Sequence, residues 1–139
     1  MATGGRWIAA VALALLAPVS GTAIGSMARQ DFKPDFSGVK TRAAAEALAA
    51  RGQLTRVLLF PAEFGGEDVP ENVTYITPEA AAAKDLITGT LIRFTKEGTI
   101  NRLTVTPEYK GDSFVPSRIV MHATSSKRKG SFNPVIEIW

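Results

Sequence analysis

The sequence predicts an α+β domain: two short helices packed on a mainly antiparallel sheet of about five strands. Three observations carry this. Two alanine-rich stretches have helix-capping residues at their ends. Runs rich in β-branched residues alternate between apolar and polar positions. Glycine- and proline-bearing turns separate them. The chain has 139 residues, 45% hydrophobic and 21% charged, enough for one globular domain and not two.

The N-terminus predicts export. Arg6 supplies a positive charge, Ile8 to Ala17 is an uncharged apolar run, and Pro18 breaks it. Gly21-Thr22-Ala23 fits a small-x-small cleavage site, with Ser26-Met27-Ala28 as a second candidate. Ten apolar residues are too few for a hydrocarbon core that needs about 20 in a helix. Residues 1–23 are therefore read as a signal peptide, with an uncleaved tether as the alternative. The expected location is the periplasm or the outside of the cell, with no stable membrane insertion after cleavage. The chain has no cysteine, so neither a disulfide nor a cysteine-linked lipid anchor is available. Its formal charge of +3 permits an anionic partner without requiring one.

Residues 24–40 are polar and aperiodic and read as a flexible leader, with Phe32 and Phe36 as residues that dock on the domain or on a partner. The domain proper is 41–139. Residues 41–51 form a helix capped by Thr41 and closed by Gly52. Residues 54–60 (LTRVLLF) predict a central strand, since Val57 to Phe60 is continuously apolar. Residues 61–72 form a loop, and Val73 to Ile76 a short extended piece. Thr77-Pro78-Glu79 opens a second helix that runs to about Ile87. Thr88 to Thr95 and Thr99 to Thr106 then predict a hairpin around Lys96-Glu97-Gly98. Residues 118–124 alternate, placing Ile119, Met121 and Ala123 on one face and Arg118, Val120, His122 and Thr124 on the other. Residues 125–130 form a basic loop, and 131–139 a last strand bearing Pro134.

The order of turn motifs resembles the DNA/RNA non-specific endonuclease family, in particular the nuclease domains of bacterial secreted toxins. The resemblance rests on Ala62-Glu63-Phe64-Gly65-Gly66, Glu71-Asn72-Val73, the turn Pro107-Glu108-Tyr109-Lys110-Gly111-Asp112-Ser113, and Pro116-Ser117. It covers roughly residues 55–139 and implies a ββα-finger-like segment. In that family a histidine acts as general base and an asparagine on the helix holds a divalent metal. Aligned on the Phe-Gly-Gly loop, those positions fall at Leu58 and near Ala81. Neither side chain has a lone pair. The resemblance thus implies a retained scaffold without its catalytic pair.

Other residues offer chemistry of their own. His122, the sole histidine, is the candidate general base; its simpler reading is a sheet-face residue. Glu63, Glu67, Asp68, Glu71 and Asn72 carry hard oxygen donors suited to calcium or magnesium, without EF-hand spacing; a solvated loop is the simpler reading. Lys110, Arg118, Lys127, Arg128 and Lys129 are the candidate phosphate-binding residues. Asn72-Val73-Thr74 is a glycosylation sequon. No Walker loop, His-Glu-x-x-His or Gly-x-Ser-x-Gly motif is present.

The primary expectation is an exported, non-catalytic binding module that needs no cofactor, with nucleic acid or another exported protein as partner. One alternative is an active metal-dependent nuclease or phosphodiesterase using non-standard residues and a divalent metal such as magnesium. Another is a structural periplasmic protein whose apolar end (Val135, Ile136, Ile138, Trp139) pairs with a partner chain.

Overall fold

A computed structural model describes residues 33–139. The signal segment, and the leader up to Phe32, lie outside the described residues. The expected class is present. Helices α1 (Arg42–Ala50) and α2 (Pro78–Lys96) accompany two antiparallel sheets. The first sheet pairs β1 (Thr55–Leu58) with β2 (Val73–Ile76). The second contains β3 (Arg102–Tyr109), β4 (Pro116–Thr124), β5 (Ser131–Phe132) and β6 (Val135–Glu137). β4 is its centre: β3 lines one edge, and β5 and β6 follow one another along the other. The expected last strand is thus broken in two at Asn133-Pro134.

Packing follows the alternation on β4. Ile119, Met121 and Ala123 are fully buried, while Arg118 and His122 point outward. Burying each large apolar side chain contributes roughly 1.5–3 kcal/mol over leaving it exposed. Phe132, opposite Ala123, turns inward and meets Phe94 of α2 edge-on, with ring centroids 5.4 Å apart. Ile136 and Ile138 are 3% and 6% exposed. The apolar side chains of the C-terminus therefore belong to the core, although β6 is itself an edge strand paired only with β4, and only Val135 of that group is exposed. Trp139 donates its indole N–H to the Val115 carbonyl at 3.1 Å.

The second helix is longer than its sequence suggests, and the expected hairpin at 88–106 is absent. Residues 88–95 are threonine-rich and read as a strand. Yet Ala80, Ala81, Lys84, Thr88 and Leu91 form a buried stripe at helical spacing. Thr90 and Thr95 donate their hydroxyls to carbonyls one turn back, at Leu86 and Leu91. Lys96-Glu97-Gly98 is the helix's closing turn. Gly98 has φ +70° and donates to the Thr95 carbonyl, while Thr99 donates to Phe94, the paired bonds of a Schellman motif.

β1 is not a central strand, since it pairs with β2 alone. Its apolar run exists because both helices contact it. In chain order β1, β2 and α2 form a ββα segment, in which α2 contacts β1.

The part of the leader that is described is docked rather than flexible. Phe36 is buried and meets Trp139 edge-on at 6.1 Å. The buried Ser113 hydroxyl donates to the Phe36 carbonyl at 2.8 Å, and the Phe114 amide donates to Val39 at 2.7 Å. Ser113 of the Tyr-Lys-Gly-Asp-Ser turn therefore anchors the leader.

The loop between β1 and β2 contains two short 3-10 turns, Ala62–Phe64 and Pro70–Asn72. The Asn72 side chain closes it: its Oδ1 accepts from the Phe60 amide at 2.8 Å, and its Nδ2 donates to the carbonyls of Phe60 and Glu67, each at 3.0 Å. Gly66 is fixed by space. A Cβ there would lie 1.9 Å from the Phe60 carbonyl oxygen. Gly66→Ala is expected to cost about 2–4 kcal/mol, lowering the thermal midpoint by more than about 8 °C. Gly38→Ala, whose methyl meets nothing within 4 Å, should keep the midpoint within about 4 °C. Thermal unfolding followed by circular dichroism reads both.

Candidate functional site

The sequence-predicted residues fall in four places. His122 stands on the outer face of β4, opposite Thr104, with its Nδ1 hydrogen-bonded to the Asn133 side-chain oxygen. No hydrogen bond or ion pair joins it to the 61–72 loop among the described residues.

The acidic loop does not assemble a metal cage: no three His, Asp or Glu side chains converge among the described residues. Asp68 is paired with Arg56 of β1, whose guanidinium holds the carboxyl below the usual aspartate range. Both oxygen and nitrogen of the Asn72 side chain are occupied in closing the loop. Glu63, Glu67 and Glu71 are exposed.

The five basic candidates do not form one patch. Arg118 is near the start of β4 and is ion-paired with Glu108 across the sheet. Lys110 is tied to the C-terminal residue, its ammonium donating to the Trp139 backbone oxygen at 2.7 Å and lying 4.7 Å from the indole centroid. Lys127, Arg128 and Lys129 follow the far end of the same strand. Six residue-to-residue steps along β4, roughly 20 Å at about 3.3 Å each, separate Arg118 from Thr124.

The 127–129 loop has other company. The Asn101 side chain bonds Ser126 twice, donating to its hydroxyl at 2.7 Å and accepting from its amide at 3.0 Å. This ties the root of the basic loop to the start of β3. Arg102 is the next residue and pairs with Thr124. Arg93 and Lys96 occupy the last turn of α2 immediately before. Residues 93–102 and 125–133 thus hold six cations and one carboxylate, Glu97. None of the six forms an ion pair among the described residues. Sequence reasoning missed Arg93, Lys96 and Arg102 as partners of the loop because it placed them in a hairpin.

Between this basic end and the 61–72 loop lies a cleft of ≈ 140 Å³, lined by Phe60, Phe64, Thr95, Ile100, Asn101, Arg102 and Leu103. Phe60 and Phe64 are both half-buried. Their place beside β3 depends on the Asn72 closure, which holds Phe60 by both its amide and its carbonyl.

Leu58 is half-buried opposite Val73 and packs against the core. Ala81 lies in the buried stripe of α2. The ββα segment thus presents apolar carbon at both positions. One turn beyond Ala81 on the same stripe is Lys84, only 5% exposed and in no ion pair among the described residues. No fully buried side-chain nitrogen or oxygen among the described residues lacks a hydrogen-bond partner. Burial pushes the Lys84 pKa below the ordinary 10.5, with Asp85 and Glu63 opposing the shift. A single lysine at the i+4 position of an alanine stripe was the signal available in the sequence.

No helix among the described residues is long and apolar enough to cross a membrane. Compared with known proteins, the chain matches no family model, no curated protein and no solved structure.

Lys84 makes stability depend on pH with a definite sign. Its folded pKa is depressed, so the unfolded chain holds this proton more tightly, and stability rises with pH as the folded state deprotonates first. The gain accrues between the depressed value and 10.5. Urea unfolding of Lys84→Met across that alkaline range should lack this rise. Tyr109, whose phenol is pushed up by burial, titrates in both proteins and cancels in the comparison.

Proposed function

We propose that this chain is an exported, non-catalytic binding module on a ββα scaffold similar to that of the non-specific endonucleases, and that its partner is nucleic acid. The observation that carries this reading is the basic end: six cations drawn from α2, β3 and the 125–130 loop, with one carboxylate among them. Clustered cations that form no ion pair among the described residues release counterions when they meet a phosphate chain, and this drives sequence-independent binding.

The absence of catalysis rests on Leu58 and Ala81. A general base must accept a proton and a metal ligand must donate a lone pair. Leucine and alanine do neither. Export rests on the charge of Arg6, the apolar run to Ala17 and the small residues before Ile24.

Fluorescence anisotropy with a labelled 20-nucleotide strand tests the binding. Affinity should fall linearly with the logarithm of salt. Replacing Lys127, Arg128 and Lys129 together by alanine should weaken binding and flatten that slope by about two, at roughly 0.7 for each lost phosphate contact on a single strand. Lys110→Ala and Arg118→Ala should leave the slope nearly unchanged, since both cations are already engaged at the other end of the sheet. Magnesium-dependent cleavage of plasmid or RNA by the purified protein, abolished by chelation, would overturn the non-catalytic reading. For export, mass spectrometry of the extracytoplasmic fraction should find a chain beginning at Ile24, or at Arg29 if the second site is used. An intact N-terminus in that fraction would contradict cleavage.

A further inference from the structure

We infer that the cleft between Phe60, Phe64, Ile100 and Leu103 is a stacking subsite for one unpaired base of a single-stranded nucleic acid. The inference rests on the nucleic-acid reading above and narrows it to single strands. Three features of the cleft support it.

The first is size. At ≈ 140 Å³ the cleft is well below the roughly 300 Å³ at which sites for drug-sized ligands begin. One planar ring system fits there and little more.

The second is lining. Two phenylalanines and two aliphatic side chains form the apolar walls, and Thr95, Asn101 and Arg102 supply polar groups. Aromatic side chains beside a basic track are how sequence-tolerant single-strand binders hold bases, because every base has a π-face. The bases of a duplex are already stacked on one another and cannot enter.

The third is continuity with the basic end. Asn101 lines the cleft and also clamps Ser126, so the chain that carries Lys127, Arg128 and Lys129 is rooted at the cleft's lip. Arg102 belongs to both features. A strand whose phosphates follow these cations brings a base to the cleft. A small apolar ligand would satisfy the phenylalanines but leave the cations without counter-charge. A simple polyanion would satisfy the cations but leave the apolar cleft open to water.

The test compares three labelled ligands of equal length by anisotropy at fixed salt. These are a mixed-sequence single strand, its duplex, and an abasic strand that keeps every phosphate and lacks bases. The protein binds the single strand more tightly than the other two, by about five- to a hundredfold. Phe64→Leu lowers single-strand affinity toward the abasic level and leaves duplex affinity unchanged. Removal of Lys127, Arg128 and Lys129 lowers all three. Equal affinity for the abasic and base-carrying strands overturns the subsite, and it does so with the unaltered protein, whether or not Phe64→Leu folds. In that case the broader reading survives as phosphate binding alone. Failure to bind any of the three overturns the nucleic-acid reading and the subsite with it.

Discussion

The inner face of β4 is the constraint on which the domain is built. Ile119, Met121 and Ala123 are removed from water only because other elements cover them: Phe132 and Ile136 come from neighbouring strands, and α2 reaches Phe132 through Phe94. Once that face is covered, the two ends of β4 have different fates. Its start lies beside Trp139 and the docked leader, where a hydrogen bond and an aromatic contact hold Lys110 and an ion pair with Glu108 holds Arg118. Its finish opens into the 125–130 loop, where charge is left over. A single strand thus separates a consolidated end of the molecule from a chemically available one.

The α+β class was legible because alternation and capping act locally. Residues 118–124 write their inward and outward faces directly into the sequence, and Thr77-Pro78-Glu79 announces a helix start by the same hydroxyl-to-amide bond that the structure contains, from the Ala80 amide to the Thr77 hydroxyl. The helix end was illegible for an equally physical reason. Threonine and isoleucine between 88 and 95 favour strands by intrinsic preference, yet burial of Thr88 and Leu91 outweighs it. The glycine that closes a hairpin and the glycine that closes a Schellman motif also have the same local appearance.

The candidate site was legible only in part, because its walls come from separated segments. Lys127 to Lys129 are conspicuous in any reading of the chain. The cleft beside them is not, since Phe60, Phe64, Thr95 and Leu103 meet only after two sheets and a helix have formed. The reverse error occurred with Lys110 and Arg118: similar charge suggested a common surface, and the length of β4 keeps them apart. Lys84 shows a third case. Its position within an alanine stripe marks it as buried, but whether such an ammonium reaches water depends on how the stem lies along the helix.

Asn72 carries an implication for how this chain can be made. Its side-chain nitrogen is the atom to which a sugar would be joined at the Asn-Val-Thr sequon. In the folded protein that nitrogen donates to two carbonyls that shape the turn after β1. Glycan attachment and closure of the turn compete for one atom. A eukaryotic secretory host that modifies the nascent chain before folding would leave that nitrogen with one hydrogen for two carbonyls, whereas a bacterial host without that machinery leaves both hydrogens for the turn.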